Sequence, residues 1–233
     1  MSADAVYTSL QSGLPLAWSG DGTPTPIDLS RKMPELVLKR GIDFVLSLVA
    51  LLAFAPLFVI VAMAIKLTSR GPVLFRQMRP GGQGVPFAMY KFRTMHVDRA
   101  DPTGITQTVL NDPRMTPIGS FLRRTSIDEL PQLANVLMGQ MSLVGPRPHP
   151  AGMMAAGDDY RVLVPYYALR YAMKPGMSGW AQAHGYRGPT DDAVRSTARI
   201  DHDIAYVQNF SILLDFRIIF LTVWREFMVG TGL

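Results

Sequence analysis

Two adjacent carboxylates, Asp128 and Glu129, sit in the run Arg123-Arg124-Thr125-Ser126-Ile127-Asp128-Glu129-Leu130-Pro131. A helix expected around residues 127–139 would open there. The free N–H groups of its first turn, with Arg123 or Arg124 beside them, would make an anion site. Arg147, in a Pro-Arg-Pro turn, and Lys91 and Arg93, on a predicted strand, add the cations that suit phosphate. Two acids repel phosphate unless a divalent cation neutralises them, so the set points to magnesium or manganese and a diphosphate substrate. The arginines and the helix end are expected to hold Asp128 ionised, as a carboxylate nucleophile must be. Neighbours on a helix point about 100° apart, so the two acids are not placed to share one proton. A plainer reading is also open: Ser126-x-x-Glu129 is a capping box, and acids in a first turn favour the helix dipole.

Other chemistry is excluded or weaker. The 233 residues include no cysteine, which removes a disulfide scaffold, a thiolate nucleophile, an iron–sulfur cluster and a Cys-type zinc site. No Ser-His-Asp ordering, HExxH or Walker loop is present. His96, His149 and His184 are isolated and read as hydrogen-bonding residues. Asp201-His202-Asp203 has the composition of a metal cluster, but on a polar amphipathic helix it is expected to be a solvated face. With 48% hydrophobic and 18% charged residues, the chain is neither disordered nor a histone-like nucleic-acid binder.

The elements that must position these residues begin with an arm. Residues 1–30 are rich in Ser, Gly, Thr and Pro, carry three acids and no base, and lack the basic start of a signal peptide. They are expected to be flexible. From Phe44 to Ile65 run 22 uncharged residues, enough as a straight helix of roughly 33 Å to cross a bilayer. Pro56 near the middle is expected to break that helix. Arg31, Lys32, Lys39 and Arg40 precede the segment, and Lys66, Arg70, Arg76 and Arg79 follow it. Both flanks therefore prefer the cytoplasmic side, which a re-entrant helix–break–helix satisfies and a kinked spanning helix does not. By flanking charge alone both topologies remain open.

Residues 73–94 read as strand, turn and strand around Gly81-Gly82-Gln83-Gly84, a hairpin turn rather than a phosphate loop because no helix follows. Residues 98–120 look loop-like, and Trp180-Ala181-Gln182 a short extended piece. The last forty residues read as two helices broken near Asn209-Phe210-Ser211. Ile212, Leu213, Phe216, Ile219, Phe220, Val223 and Phe227 form an apolar stripe on the second, which suits a core or a membrane interface.

Six ordered runs resemble the bacterial sugar transferases, the monotopic polyprenyl-phosphate phosphoglycosyl transferases. They are Lys39-Arg40-x-x-Asp43, Tyr90 to Met95, Asp112-Pro113-Arg114, Thr125 to Gln132, Ser142 to Pro148, and Lys174 to Gln182. Gly185-Tyr186-Arg187-Gly188 is similar to the branch that uses hexose 1-phosphates, although His184 and Pro189 replace the usual asparagine and acid. The resemblance implies transfer of hexose 1-phosphate, from UDP-glucose or UDP-galactose, to undecaprenyl phosphate, beginning exopolysaccharide or related glycan assembly. It implies Asp128 as nucleophile through a covalent phospho-sugar intermediate, and Glu129 as its catalytic partner acid and ligand of magnesium. It further implies Lys91, Arg93, Arg123, Arg147 and Arg187 as substrate-binding residues. Pro56 matches the break of a re-entrant membrane helix. The implied place is the bacterial inner membrane, with the catalytic part facing the cytoplasm and downstream glycosyltransferases as partners. Longer relatives add an N-terminal multi-helix region, so the chain is expected to hold the catalytic part.

The expected fold is α/β, mainly helical with a small β-hairpin, a re-entrant membrane helix and interfacial amphipathic helices. Residues 1–32 are the expected arm, and 33–233 the transferase domain, including membrane segment 42–66. Two rivals are a catalytically inactive membrane adaptor of the same fold and a basic protein binding anionic lipid or nucleic acid. The intact Asp128-Glu129 pair opposes the first. For the second, the basic residues crowd the apolar segment and no aromatic-basic stacking face appears, so no nucleic-acid partner is expected.

Overall fold

The computed structural model describes residues 13–101, 105–109 and 112–229. A 3-10 turn at Ser30–Lys32 leads into α1 (Met33–Ala53), and α2 (Ala55–Thr68) follows after a bend of 59° at Phe54. Pro56 is the second residue of α2. There it lacks the N–H that would bond the Leu52 carbonyl in a continuous helix, while its fixed φ suits a helix start. The break expected at Pro56 is therefore realised two residues earlier. Among the described residues no single helix is long and apolar enough to cross a membrane, but the bent pair together passes on length and composition.

These two helices are inverted relative to an ordinary surface helix. Lys39, Asp43 and Ser47, spaced four apart and so on one face, are 6%, 5% and 0% exposed, while Leu52 and Leu67 are 69% and 87% exposed. Asp43 accepts from the Ser142 hydroxyl (2.7 Å) and the Leu143 N–H (3.0 Å), and Lys39 pairs with Asp215. Arg40 donates to the carbonyls of Val136 and Leu137 at 2.7 and 2.8 Å. The basic flanks thus do double duty: Lys32, Lys39, Arg40 and Arg79 are engaged within the protein, and Arg31, Lys66, Arg70 and Arg76 remain exposed.

The hairpin forms as expected, with β1 (Leu74–Pro80) antiparallel to β2 (Pro86–Phe92) in the register Phe75↔Lys91 and Gln77↔Met89. Residues 98–120 are not all loop, because α3 (Pro117–Arg124) starts within them. Thr116 caps it by accepting from the Gly119 N–H at 3.0 Å. A Cβ on Gly119 would overlap the Thr94 carbonyl, so glycine lets α3 dock against the end of β2. A 3-10 turn at Ile127–Glu129 precedes α4 (Gln132–Leu137).

Next comes β3 (Ser142–Val144). A small hairpin, β4 (Met154–Ala155) and β5 (Asp158–Asp159), leads into the single turn α5 (Tyr160–Leu163) and a 3-10 helix at Tyr167–Ala172. β6 (Gly176–Ser178) pairs parallel with β3, and the expected extended piece at Trp180 is instead a helical turn, α6 (Trp180–Ala183). The strand is used up one residue earlier, where Gly179 lies against the Gly145 carbonyl. The two final helices are α7 (Ala193–Gln208) and α8 (Ile212–Val229); the Phe227 side chain lies outside the described residues. Trp180, Tyr206, Phe210 and Ile218 form the main core.

Two expectations are corrected. Residues 13–29 of the expected arm pack on the domain: Leu16 is buried among Tyr160, Tyr167 and Ile204, and Gln208 bonds both to the Ala17 N–H (2.8 Å) and its carbonyl (3.1 Å). Residues 1–12 lie outside the described set. Asp201-His202-Asp203 is buried rather than solvated, because the arm, the 3-10 helix and α6 cover α7 on several sides. The three side chains diverge: Asp201 accepts from the Tyr166 hydroxyl (2.8 Å), His202 meets the Ala198 carbonyl (2.7 Å), and Asp203 pairs with Arg170.

Burial pushes the Asp201 carboxyl up to about 6, against the opposing pull of the Tyr166 hydrogen bond. The folded value is above the unfolded one, so this group's contribution to stability is most favourable at low pH and is lost as pH rises through 6. Asp201→Asn should therefore gain on the parent by about 2 kcal/mol between pH 4 and pH 7, measured as the difference in unfolding free energy. A difference that does not change with pH would remove burial as the cause.

Candidate active site

A cleft of about 550 Å³ is lined by Lys91, Arg93, Arg123, Asp128, Glu129, Arg147 and Arg187. Every predicted catalytic and substrate-binding residue thus reaches one cavity, and Pro56, expected as the helix break, lies outside it. The hairpin contributes through strand alternation: Phe75, Gln77 and Arg79 of β1 and Met89 and Lys91 of β2 share the cleft face, while Arg76 stacks on Tyr90 across the other face at 5.4 Å.

Asp128 and Glu129 are set by an unusual turn. Ser126 adopts a left-handed conformation (φ 54°), reversing the chain after α3. The capping box is therefore not formed, since Ser126 makes no side-chain cap and the acids lie on a 3-10 turn separated from α4 by Pro131. The anion site expected from a helix N-terminus is corrected accordingly: side-chain cations supply the charge.

Glu129 lies between two of them. Its Oε1 accepts from Lys91 Nζ at 2.7 Å and Arg147 Nη2 at 2.6 Å. Burial alone would raise its carboxyl, but Arg147 and Lys91 outweigh that and hold it well below the usual carboxylate range. Asp128 differs. It is buried, and no ion pair or hydrogen bond to its carboxylate occurs among the described residues. Burial pushes it up to about 6, with Glu129 adding to the rise and Lys91, Arg123 and Arg147 opposing it. Arg123 and Arg147, expected together with the helix end to hold it ionised, do pull its carboxyl down, but burial outweighs them and the net shift is upward.

Of the expected substrate-binding cations, Arg123 donates to Thr94 Oγ1 at 3.0 Å and also to Thr108 Oγ1. Arg93 lines the same cleft and is also bound from behind. Its guanidinium donates to the Ser69 carbonyl (2.9 Å), Ser69 Oγ (3.0 Å) and the Arg70 carbonyl, closing the C-terminal end of α2. It ties the end of α2 to the strand that carries Lys91, a positioning role. Arg147 is steadied from behind, where its carbonyl accepts from Arg170, itself paired with Asp203.

Sequence reasoning missed Arg79, His149 and Arg199, which also line the cleft. For Arg79 the signal was present: it is two strand positions from Gln77 and four from Phe75, on the face that Lys91 shares. Arg199 offered none, since its α7 position reaches the cleft only through tertiary packing.

No group of three His, Asp or Glu side chains able to hold a metal occurs among the described residues. Magnesium is usually held by one or two carboxylates together with substrate phosphates. The Asp128-Glu129 pair beside a cationic cleft is compatible with that donor set.

The Bacterial sugar transferase family model matches residues 34–228. An exopolysaccharide production protein, PSS, of Rhizobium leguminosarum bv. phaseoli is 56% identical over 198 residues, covering 85% of this chain and 99% of that protein. The UDP-glucose:undecaprenyl-phosphate glucose-1-phosphate transferase of Escherichia coli K12 is 47% identical, over 82% of this chain and 40% of that protein. The UDP-N-acetylgalactosamine-undecaprenyl-phosphate N-acetylgalactosaminephosphotransferase of Aeromonas hydrophila is 41% identical, over 84% and 44%. The chain thus spans nearly all of the Rhizobium protein and less than half of the other two. The matched region takes in the hairpin, the Asp128-Glu129 turn and the Arg147 loop, and on that basis the chain belongs to the bacterial sugar transferase family.

Proposed function

We propose that the protein transfers hexose 1-phosphate from a UDP-hexose to undecaprenyl phosphate, the initiating step of exopolysaccharide or related glycan synthesis. The observation that carries this reading is Asp128: a carboxylate without a bonding partner among the described residues, in a cleft lined by Lys91, Arg123 and Arg147. Glucose and galactose are the proposed sugars, and glucose is the one named for the Escherichia coli relative.

In the first half-reaction an Asp128 oxygen attacks the phosphorus that bears the hexose. The bond from that phosphorus to the UMP oxygen breaks, and UMP leaves with the electron pair. In the second, an oxygen of the lipid phosphate attacks the same phosphorus and displaces the Asp128 carboxylate, giving the lipid diphosphate-linked hexose. Lys91 and Arg147, presented by Glu129, and Arg123 oppose the charge that builds on phosphoryl oxygens. Asp128 and Glu129 are the residues that would hold magnesium, or manganese, against the donor diphosphate, where it would supply further charge neutralisation.

We also assign the chain to the cytoplasmic leaflet of the bacterial inner membrane. Exposed apolar residues on α1 and α2, among them Val45, Leu52, Ile60 and Leu67, form a face that water does not favour. On α8, Leu213, Phe216, Phe220 and Trp224 add an interfacial surface. The 59° bend and the outward basic residues on both flanks support a re-entrant rather than spanning path. Enzymes that extend the lipid-linked sugar are the expected partners.

Incubation of detergent-held protein with magnesium and UDP-glucose or UDP-galactose, without lipid, should yield a stoichiometric hexose-phosphate adduct by intact mass. Asp128→Asn should fold normally, form no adduct and lose turnover by about 10³-fold or more. An adduct surviving that substitution would move the nucleophile elsewhere, and lipid-dependent turnover without any adduct would replace the two-step path by direct transfer. Topology has its own test, helped by the absence of native cysteine. Labels at Ser30→Cys and Pro72→Cys should react from the same membrane side in the parent and from opposite sides after Pro56→Leu. Opposite-side labelling in the parent would overturn the re-entrant path.

A further inference from the structure

The cleft holds more positive charge than the nucleophile and its immediate partners use. Arg147 is balanced by Glu129, and Arg170 behind it by Asp203. Arg79 and Arg199 also line the cleft, and neither forms an ion pair among the described residues. Their hydrogen bonds go to neutral acceptors. Arg79 Nε donates to Gln77 Oε1 at 3.0 Å and Nη1 to the Pro148 carbonyl at 3.3 Å, while Arg199 Nη2 donates to the Gly188 carbonyl at 3.1 Å. Arg199 is buried, and its Nε has no hydrogen-bond partner among the described residues.

Both guanidiniums feel the same unfavourable surroundings. Removal from solvent, with Arg147 adding repulsion, brings Arg79 down to about 9; burial likewise lowers Arg199. The buried His149 ring beside them adds no further positive charge, since burial and the charges of Arg170, Arg199, Arg79 and Arg147 keep it neutral. Holding two unpaired cations out of water beside a third costs folding energy, and an anion entering the cleft relieves that cost. Among the described residues neither guanidinium bonds Asp128 or Glu129: Arg79 is held at the Pro148 carbonyl, one residue past Arg147, and Arg199 at the Gly188 carbonyl, one residue past Arg187, so both belong to the cleft wall made by those two loops.

We propose that Arg79 and Arg199 form a leaving-group subsite that binds the phosphate of the departing nucleoside monophosphate. This rests on the transfer reading above, in which the hexose-bearing phosphorus lies at Asp128 and the second phosphate of the donor must lie farther along the same cleft. Cleavage leaves that second phosphate with an additional negative charge, so cations placed there stabilise the charge as it develops.

The test uses UMP and uridine as probes, measured by calorimetric titration on the full chain in detergent. The parent should bind UMP more tightly than uridine by about a hundredfold, and Arg79→Gln and Arg199→Gln should each cut that preference by about tenfold. Arg79→Lys should restore part of it, and the apparent KM for UDP-hexose should rise in the glutamine variants. A merely structural arginine would weaken both probes alike and leave the preference intact. An unchanged preference in folded variants overturns the subsite, even if the parent still forms the hexose-phosphate adduct. Loss of the preference in the variants, in a protein whose parent shows neither the adduct nor lipid-dependent turnover, would leave Arg79 and Arg199 as a nucleotide-phosphate site but overturn their leaving-group role together with the transfer reading. A parent that binds UMP no better than uridine overturns the subsite directly.

Discussion

The structure hangs on a row of charge and polarity beneath an apolar helix. Lys39, Asp43 and Ser47 face inward from α1: Lys39 pairs with Asp215 of α8, Asp43 accepts from Ser142 and Leu143 of β3, and Ser47 donates to the Phe44 carbonyl of its own helix. Breaking such a contact is costly, because each partner would be left buried and unpaired. The row therefore determines which side of α1 faces the domain and leaves the apolar side to the surroundings. Tyr206 completes it by donating to Asp215 at 2.7 Å, which carries the constraint into the main core.

From there the constraint reaches the cleft by two routes. Asp43 holds β3, and β3 leads through Gly145 and Pro146 to Arg147. Arg40, one residue after Lys39, closes the C-terminal end of α4, the helix that follows the Asp128-Glu129 turn. On the opposite wall Arg93 binds the end of α2 while its neighbour Lys91 pairs with Glu129. The acids and cations of the site are thus anchored to the same two helices that present the apolar surface.

Much of this was legible in the residues. The hairpin followed from alternation around three glycines, the break near Pro56 from proline chemistry, and the candidate site from acids and bases that make sense together only around phosphate. What was not legible depends on long-range packing. Ser126 in a left-handed conformation has no local signature, and it replaced an expected helix cap by a 3-10 turn. Asp201, His202 and Asp203 look solvated by composition, yet all three are buried and each finds a separate partner. Arg93 is as basic as Lys91 and two positions away on the same alternation, but the carbonyls at the end of α2 claim it. The Gly- and Pro-rich stretch near residue 20 reads as loose chain until Leu16 and Gln208 are seen to hold it.

Arg93 also makes the protein a rigid spacer. Arg93 is nearly out of contact with water, and its two terminal nitrogens find acceptors only while Ser69 and Arg70, just past the end of α2, stay against it. Sliding the bent helix pair up or down relative to the hairpin would strand that charge. On the proposed membrane reading, the height of Asp128 above the lipid headgroups is then set by the protein and not by the bilayer it sits in. Membranes of different thickness would meet the same stand-off distance, and the lipid phosphate, on its flexible chain, is the partner that has to travel.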